Sequence, residues 1–140
     1  MIKNIIYPWL LVIRIKTLSA AISPVIIGTS IAFKDSYFNI SIFIVTIIAA
    51  CLIQIGTNIS NDIFDFLKGS DTKDRLGPIR AAQTGILSIV QLKRATIIVF
   101  FIAILFGIYL VYIGGYPIII IGLSSILCGL LYTGGRYPLG

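Results

Sequence analysis

Histidine and glutamate are both absent from this chain of 140 residues. Without histidine there is no imidazole to ligate a metal, no histidine-based nucleophile triad and no histidine proton relay. Carboxylate chemistry rests on five aspartates alone. Charge of either sign is scarce: 11% of residues are charged against 58% hydrophobic, and the mean hydropathy is +1.05. A water-soluble domain of this size needs a much larger polar surface. The composition therefore indicates an integral membrane protein whose outer surface faces lipid. The two cysteines, Cys51 and Cys128, each lie inside an apolar run and read as small hydrophobes, not as a disulfide or metal pair.

What the chain has in abundance is long apolar runs. They extend from about Leu10 to Phe33 (interrupted by Arg14 and Lys16), from Ile40 to about Gly56, from Ala95 to Ile113 and from Tyr116 to Tyr132. Each is close to the roughly 17–25 residues that cross a bilayer as a helix. They are continuous instead of alternating, which excludes a barrel. The expected fold class is all-α, a polytopic membrane bundle of four transmembrane helices over about 10–33, 40–66, 95–113 and 116–132. A loop of about 67–94 joins the second to the third. Residues 1–140 read as one membrane domain. Every Lys and Arg except Lys34 then falls on one side, so the positive-inside rule places both termini and the 67–94 loop in the cytoplasm. The start lacks the pattern of a cleavable signal. Tyr7 and Trp9 suit an interfacial lead-in to the first span.

The net charge of +6 is explained by this topology. No nucleic-acid motif accompanies it, and no nucleic-acid partner is expected. Some cations, such as Lys3 and Lys93, suit contact with anionic membrane lipid.

Four of the five aspartates fall in one stretch, NISNDIFDFLKGSDTKDRLGPIR, residues 58–80. At about 100° per residue on a helix, Asn58, Asn61, Asp62 and Asp65 share an arc of roughly 100°. Carboxylates near a membrane are costly and usually face a polar cavity. Gly69 breaks the helix, and a chain reversed there brings Asp71 back toward Asp65. Asn61, Asp65 and Asp71 make an oxygen-lined set that suits Mg²⁺, with phosphate oxygens sharing the shell. Lys68, Arg75 and Arg80 would complete a diphosphate site by charge-assisted hydrogen bonds. Asp74, between Lys73 and Arg75, reads equally well as a solvated loop charge. Asp62 reads equally well as facing a neighbouring helix or water. On these residues alone, an ion or substrate path in a small transporter or channel subunit remains open, as does a membrane fragment without function.

The string NDIFDFLKGSDTKDRLGPIR resembles the first aspartate-rich motif of the UbiA-type intramembrane prenyltransferases, and within them the 1,4-dihydroxy-2-naphthoate polyprenyltransferase branch. Asn61 and Asp65 match the first two positions of N-x-x-x-D-x-x-x-D, and Gly69 stands at the third. The naphthoate-branch spacing, N-D-x-x-D-x-x-x-G-x-D, accommodates Asp71. The following D-R-x-G-P-x-R is present as Asp74, Arg75, Gly77, Pro78 and Arg80. RIKTLSAAISPVIIG (14–28) and YTGGRYPLG (132–140) resemble two further segments of the family.

The resemblance implies Mg²⁺-dependent transfer of a polyprenyl group from polyprenyl diphosphate to 1,4-dihydroxy-2-naphthoate, with loss of CO₂, giving demethylmenaquinone. It assigns Asn61, Asp65 and Asp71 to Mg²⁺-diphosphate, with Asp65 and Asp71 the catalytic pair. Asn58, Lys68, Arg75 and Arg80 are assigned to substrate. Arg14 and Lys16 are placed at the acceptor or the diphosphate, or else simply mark the membrane edge. Pro24 and Gly28 are expected to bend the first helix or pack it closely. The family fold has about nine transmembrane helices and a second D-x-x-x-D motif. Four helices and no carboxylate after Asp74 lead to the expectation that this is the N-terminal part of such a fold, inactive alone.

Overall fold

The computed structural model describes residues 3–69 and 80–139. Those residues form helices joined by turns, with no strand among them. The elements are α1 (Lys3–Ile13), a 3-10 turn (Ile15–Thr17), α2 (Leu18–Lys34), α3 (Ile40–Leu67), α4 (Ile89–Gly114) and α5 (Pro117–Leu131). Three helical stretches are long and apolar enough to cross a membrane: Ile6–Lys34, Ile40–Leu67 and Ile89–Gly114. The fourth, α5, has 15 residues. At 1.5 Å per residue it is about 22 Å long, shorter than the roughly 30 Å hydrocarbon core.

α3 is the central helix and packs against α1, α2, α4 and α5. Its N-terminus is capped by Asn39, whose side-chain oxygen accepts from the backbone N–H groups of Ser41 and Ile42 at 2.9 and 3.1 Å. Two glycines let neighbours approach closely. A Cβ on Gly56 would lie 2.7 Å from the Phe100 ring, and one on Gly129 would collide with Thr57. Small residues at helix contacts are the usual means of close packing in lipid, where no hydrophobic force drives helices together. Gly115, at φ 76, makes the tight turn between α4 and α5 that another residue would resist.

Three expectations need revision. The first apolar run is not one helix from about Leu10. α1 starts at Lys3, and the helix breaks at Arg14, whose φ of 53 and ψ of 63 are left-handed. α4 starts at Ile89 and not Ala95, because Ser88 and Gln91 form a reciprocal capping box. Gly28 does not mark a close contact, since a Cβ there would meet nothing within 4 Å.

The buried core lies at one end of the bundle, where α1, α3 and α4 meet the segment before α4. Val12, Ile59, Ile63, Ala81, Ala82, Leu87 and Leu92 form it, flanked by Trp9, Ile55 and Val99. α2 and α5 bury no residue. Their apolar side chains face outward or toward the cavity described next, as helices in lipid can.

Candidate functional site

The polar stripe of α3 emerges at the core end of the bundle, and each of its side chains has a distinct partner. Asn58 is buried, 3% exposed, and its amide nitrogen donates to the Ile13 carbonyl and to Thr17 Oγ1, both at 2.8 Å. Gln54, one turn earlier, donates to the Asn58 carbonyl oxygen at 3.2 Å. Asn61 turns the other way: its Oδ1 accepts from the Thr133 hydroxyl at 2.7 Å. Lys68 donates to the Thr133 carbonyl at 2.5 Å. Thr133 thus ties the segment after α5 to both ends of the last turns of α3.

Asp62 and Asp65 share one cation. Arg80, 6% exposed, places Nη2 2.5 Å from Asp65 Oδ2 and Nη1 3.6 Å from Asp62 Oδ1. The other oxygen of Asp62 accepts from the buried Ala82 N–H at 3.1 Å. Asp62 therefore anchors the segment that enters the core, while the Asp65 side chain, 15% exposed, is the more accessible carboxylate. Arg80, expected at a phosphate, sits between these two aspartates. Asp71, Asp74 and Arg75 lie outside the described residues.

Beside the stripe runs a cavity of about 1190 Å³ between α2, α3, α4 and α5. On α3 it is lined at Ile42, Thr46, Ala49, Ile53, Thr57 and Asn61, the 3.6-residue period of one face. At 1.5 Å per residue these positions span about 28 Å, nearly a bilayer core. Its walls are mostly apolar, and its polar residues include Arg14, Thr17, Gln54, Asn58 and Asn61. Arg14 and Asn58 thus join Asn61 at the cavity. Lys16 is exposed and is not part of the lining.

The donor chemistry suits a hard divalent cation: Asn61 and Asp65 are oxygen donors one turn apart on α3. Among the described residues no three His, Cys, Asp or Glu side chains gather to hold a metal ion. A cation held between Asn61 and Asp65 would draw on an amide oxygen as well as a carboxylate. Thr133, Thr17 and Gln54 were not foreseen as site residues. Thr133 stands in the YTGG segment and Thr17 in the RIKTL segment, both of which signalled the resemblance, so a cue existed for each; Gln54 carries none.

Residues 21–140 match the UbiA prenyltransferase family, a span that contains α3, the cavity helices and Thr133. The chain belongs to this family. It is 36% identical over 138 residues to the 1,4-dihydroxy-2-naphthoate octaprenyltransferase of Escherichia coli (strain K12), covering 94% of this chain and 45% of that protein. It is 34% identical over 129 residues to the protein of the same name from Bacillus subtilis (strain 168), covering 90% and 40%. For Haemophilus influenzae the identity is 29% over 148 residues, covering 100% and 48%. The chain spans less than half the length of these curated relatives. No solved structure matches it. In this UbiA-family chain, Arg14 and Thr17 lie before the family match but within a region that the relatives cover.

Proposed function

We propose that this chain supplies the prenyl-donor site of a membrane enzyme that transfers a polyprenyl group from its diphosphate to 1,4-dihydroxy-2-naphthoate, with loss of the carboxylate, in menaquinone synthesis. The observation that carries the proposal is the cavity: about 1190 Å³, walled by apolar side chains along α3 and reaching Asn58, Asn61 and Arg14. A prenyl diphosphate has the same division, a long hydrocarbon joined to a compact anion. The names of the relatives support a prenyl donor and a naphthoate acceptor.

Asn61 and Asp65 would hold Mg²⁺, with Asp71 as the further carboxylate. Bound there, Mg²⁺ supplies positive charge against the departing diphosphate. The chain's own side chains do the rest. Lys68, just past the end of α3 and donating to the Thr133 carbonyl, and Arg80, on Asp65, bring fixed positive charge to the same end. The apolar lining keeps water from the allylic carbon as its bond to the diphosphate oxygen breaks, since water there would capture the cation. The new bond forms to the ring carbon that carries the carboxylate, which leaves as CO₂. The tail lies along α3 and can continue into lipid between α2 and α5. The clustering of cations at this end supports an orientation with the site toward the cytoplasm of a bacterial cell.

Titration of the protein in lipid nanodiscs with geranyl thiodiphosphate, a donor analogue that resists ionisation, tests this reading. Binding is expected with Mg²⁺ and is expected to weaken at least tenfold when Mg²⁺ is chelated. Ion flux in liposomes with no analogue binding would replace the proposal with the transporter reading.

A further inference from the structure

We propose that Asn58 is a positioning residue that holds open the break between α1 and α2 so that Arg14 stands at the cavity as the contact for an aromatic carboxylate. The inference rests on the proposed function and assigns the acceptor side of the same site.

The break has no local cause. Position 14 carries neither glycine nor proline, and its flanks, LLVI and IKTL, are ordinary helix-compatible residues. Yet Arg14 is left-handed, at φ 53 and ψ 63, a conformation that a side chain with a Cβ resists. A tertiary contact must impose it. The end of α1 leaves carbonyls without their helical partners, inside a span where lipid offers no replacement donor. Asn58 meets this need from α3: its one NH₂ group donates to the Ile13 carbonyl and to Thr17 Oγ1. The Thr17 hydroxyl and Thr17 N–H in turn donate to the Arg14 carbonyl at 2.9 and 2.8 Å. Gln54 donates to the Asn58 oxygen, which fixes the carboxamide with its NH₂ toward α1.

The consequence is a matter of place. Arg14, Thr17 and Asn58 line the same cavity, whereas Lys16 does not. Asn58, bonded to Ile13 and Thr17 on either side of Arg14, stands about one turn before Asn61 on α3, away from the Asp65 end where the diphosphate charge would lie. The α2 part of the same lining includes Ala20, Ala21 and Pro24, small side chains that leave room for a flat ring. A planar guanidinium pairs two N–H groups with one carboxylate. A ring bearing a carboxylate would offer its oxygens to the guanidinium and its face to the apolar wall.

The test uses naphthalene fluorescence to titrate the protein in nanodiscs with 1-hydroxy-2-naphthoate and, separately, with 1-naphthol, which lacks the carboxylate. Arg14→Gln and Asn58→Leu should each weaken naphthoate binding about tenfold, and the double variant should lose no more than either single one. 1-Naphthol should bind all four proteins alike. Multiplied losses in the double variant, equal losses for 1-naphthol, or unchanged naphthoate affinity in Asn58→Leu would each overturn the inference. Should Asn58→Leu fail to fold, Thr17→Val removes the shared hydroxyl with a smaller change, and unchanged naphthoate affinity there overturns it too. Inorganic pyrophosphate is the third ligand. Weakened pyrophosphate binding in Arg14→Gln with naphthoate unaffected makes Arg14 a diphosphate contact and overturns the acceptor assignment. A wild-type protein that binds geranyl thiodiphosphate but not the naphthoate defeats this inference alone; one that binds neither defeats the proposed function with it.

Discussion

Arg80 bridges Asp65 and Asp62 from the far side of the loop, with Nη2 2.5 Å from Asp65 Oδ2 and Nη1 3.6 Å from Asp62 Oδ1. The two aspartates lie on adjacent positions of one helical arc, yet they have different work. Asp62, 2% exposed, also accepts from Ala82 N–H and holds the segment against the core. Asp65 is the one that remains accessible to a ligand.

Asp62→Ala should therefore act on stability. It leaves the Ala82 N–H without its acceptor and takes one carboxylate from a buried guanidinium, changes that together cost about 2–4 kcal/mol. Thermal unfolding in detergent should show a clearly lowered midpoint. A midpoint equal to wild type would mean that Asp62 is not an anchor.

Arg80→Gln should act on cation binding. A divalent cation at Asp65 competes with Arg80 for the same oxygens, so removing the guanidinium should strengthen Mn²⁺ binding in the absence of any diphosphate, read by electron paramagnetic resonance. Unchanged or weaker Mn²⁺ binding would show that Arg80 does not compete there.

Much of this arrangement could be read in advance, and the exceptions share a cause. α3 was expected over 40–66 and runs Ile40–Leu67, because its apolar run and its polar stripe obey one period. The start of α4 was missed because Lys93 and Arg94 interrupt the apolar count, although Ser88 and Gln91 carry a local start signal. The break at Arg14 could not be read at all, since the donor that holds it lies 45 residues from Ile13 in sequence. The stripe of Asn58, Asn61, Asp62 and Asp65 was visible, but not its division of labour. That is decided by Thr17, Arg80, Ala82 and Thr133, which arrive from other elements.

Thr133→Val should loosen the site while sparing the fold. Asn61 would lose its side-chain donor, and its carboxamide would be free to turn away from the orientation seen here. Geranyl thiodiphosphate binding with Mg²⁺ should weaken several-fold, with an unfolding midpoint close to wild type. The backbone contact from Lys68 to the Thr133 carbonyl should survive, since it needs no hydroxyl.

Gly56→Ala and Gly28→Ala should differ. At Gly56 the new methyl meets the Phe100 ring at 2.7–3.0 Å, so α3 and α4 must part or the ring must move, at about 1–3 kcal/mol. At Gly28 the methyl meets nothing within 4 Å, and helix propensity favours alanine by up to about 1 kcal/mol. Unfolding midpoints of the two variants should therefore shift in opposite directions.

The claim that matters most is that the cavity between α2 and α5 takes the prenyl chain with its diphosphate at the Asn61 and Asp65 end. A prenyl diphosphate with a photoreactive group on its tail, irradiated in nanodiscs and mapped by mass spectrometry, tests it most directly. The account predicts Mg²⁺-dependent label on cavity residues such as Ala50, Ile53, Val111 and Ile126, abolished in Asp65→Asn. Label confined to outward-facing side chains such as Ile97, Phe101 and Ile120, indifferent to Mg²⁺ and to Asp65→Asn, would contradict it.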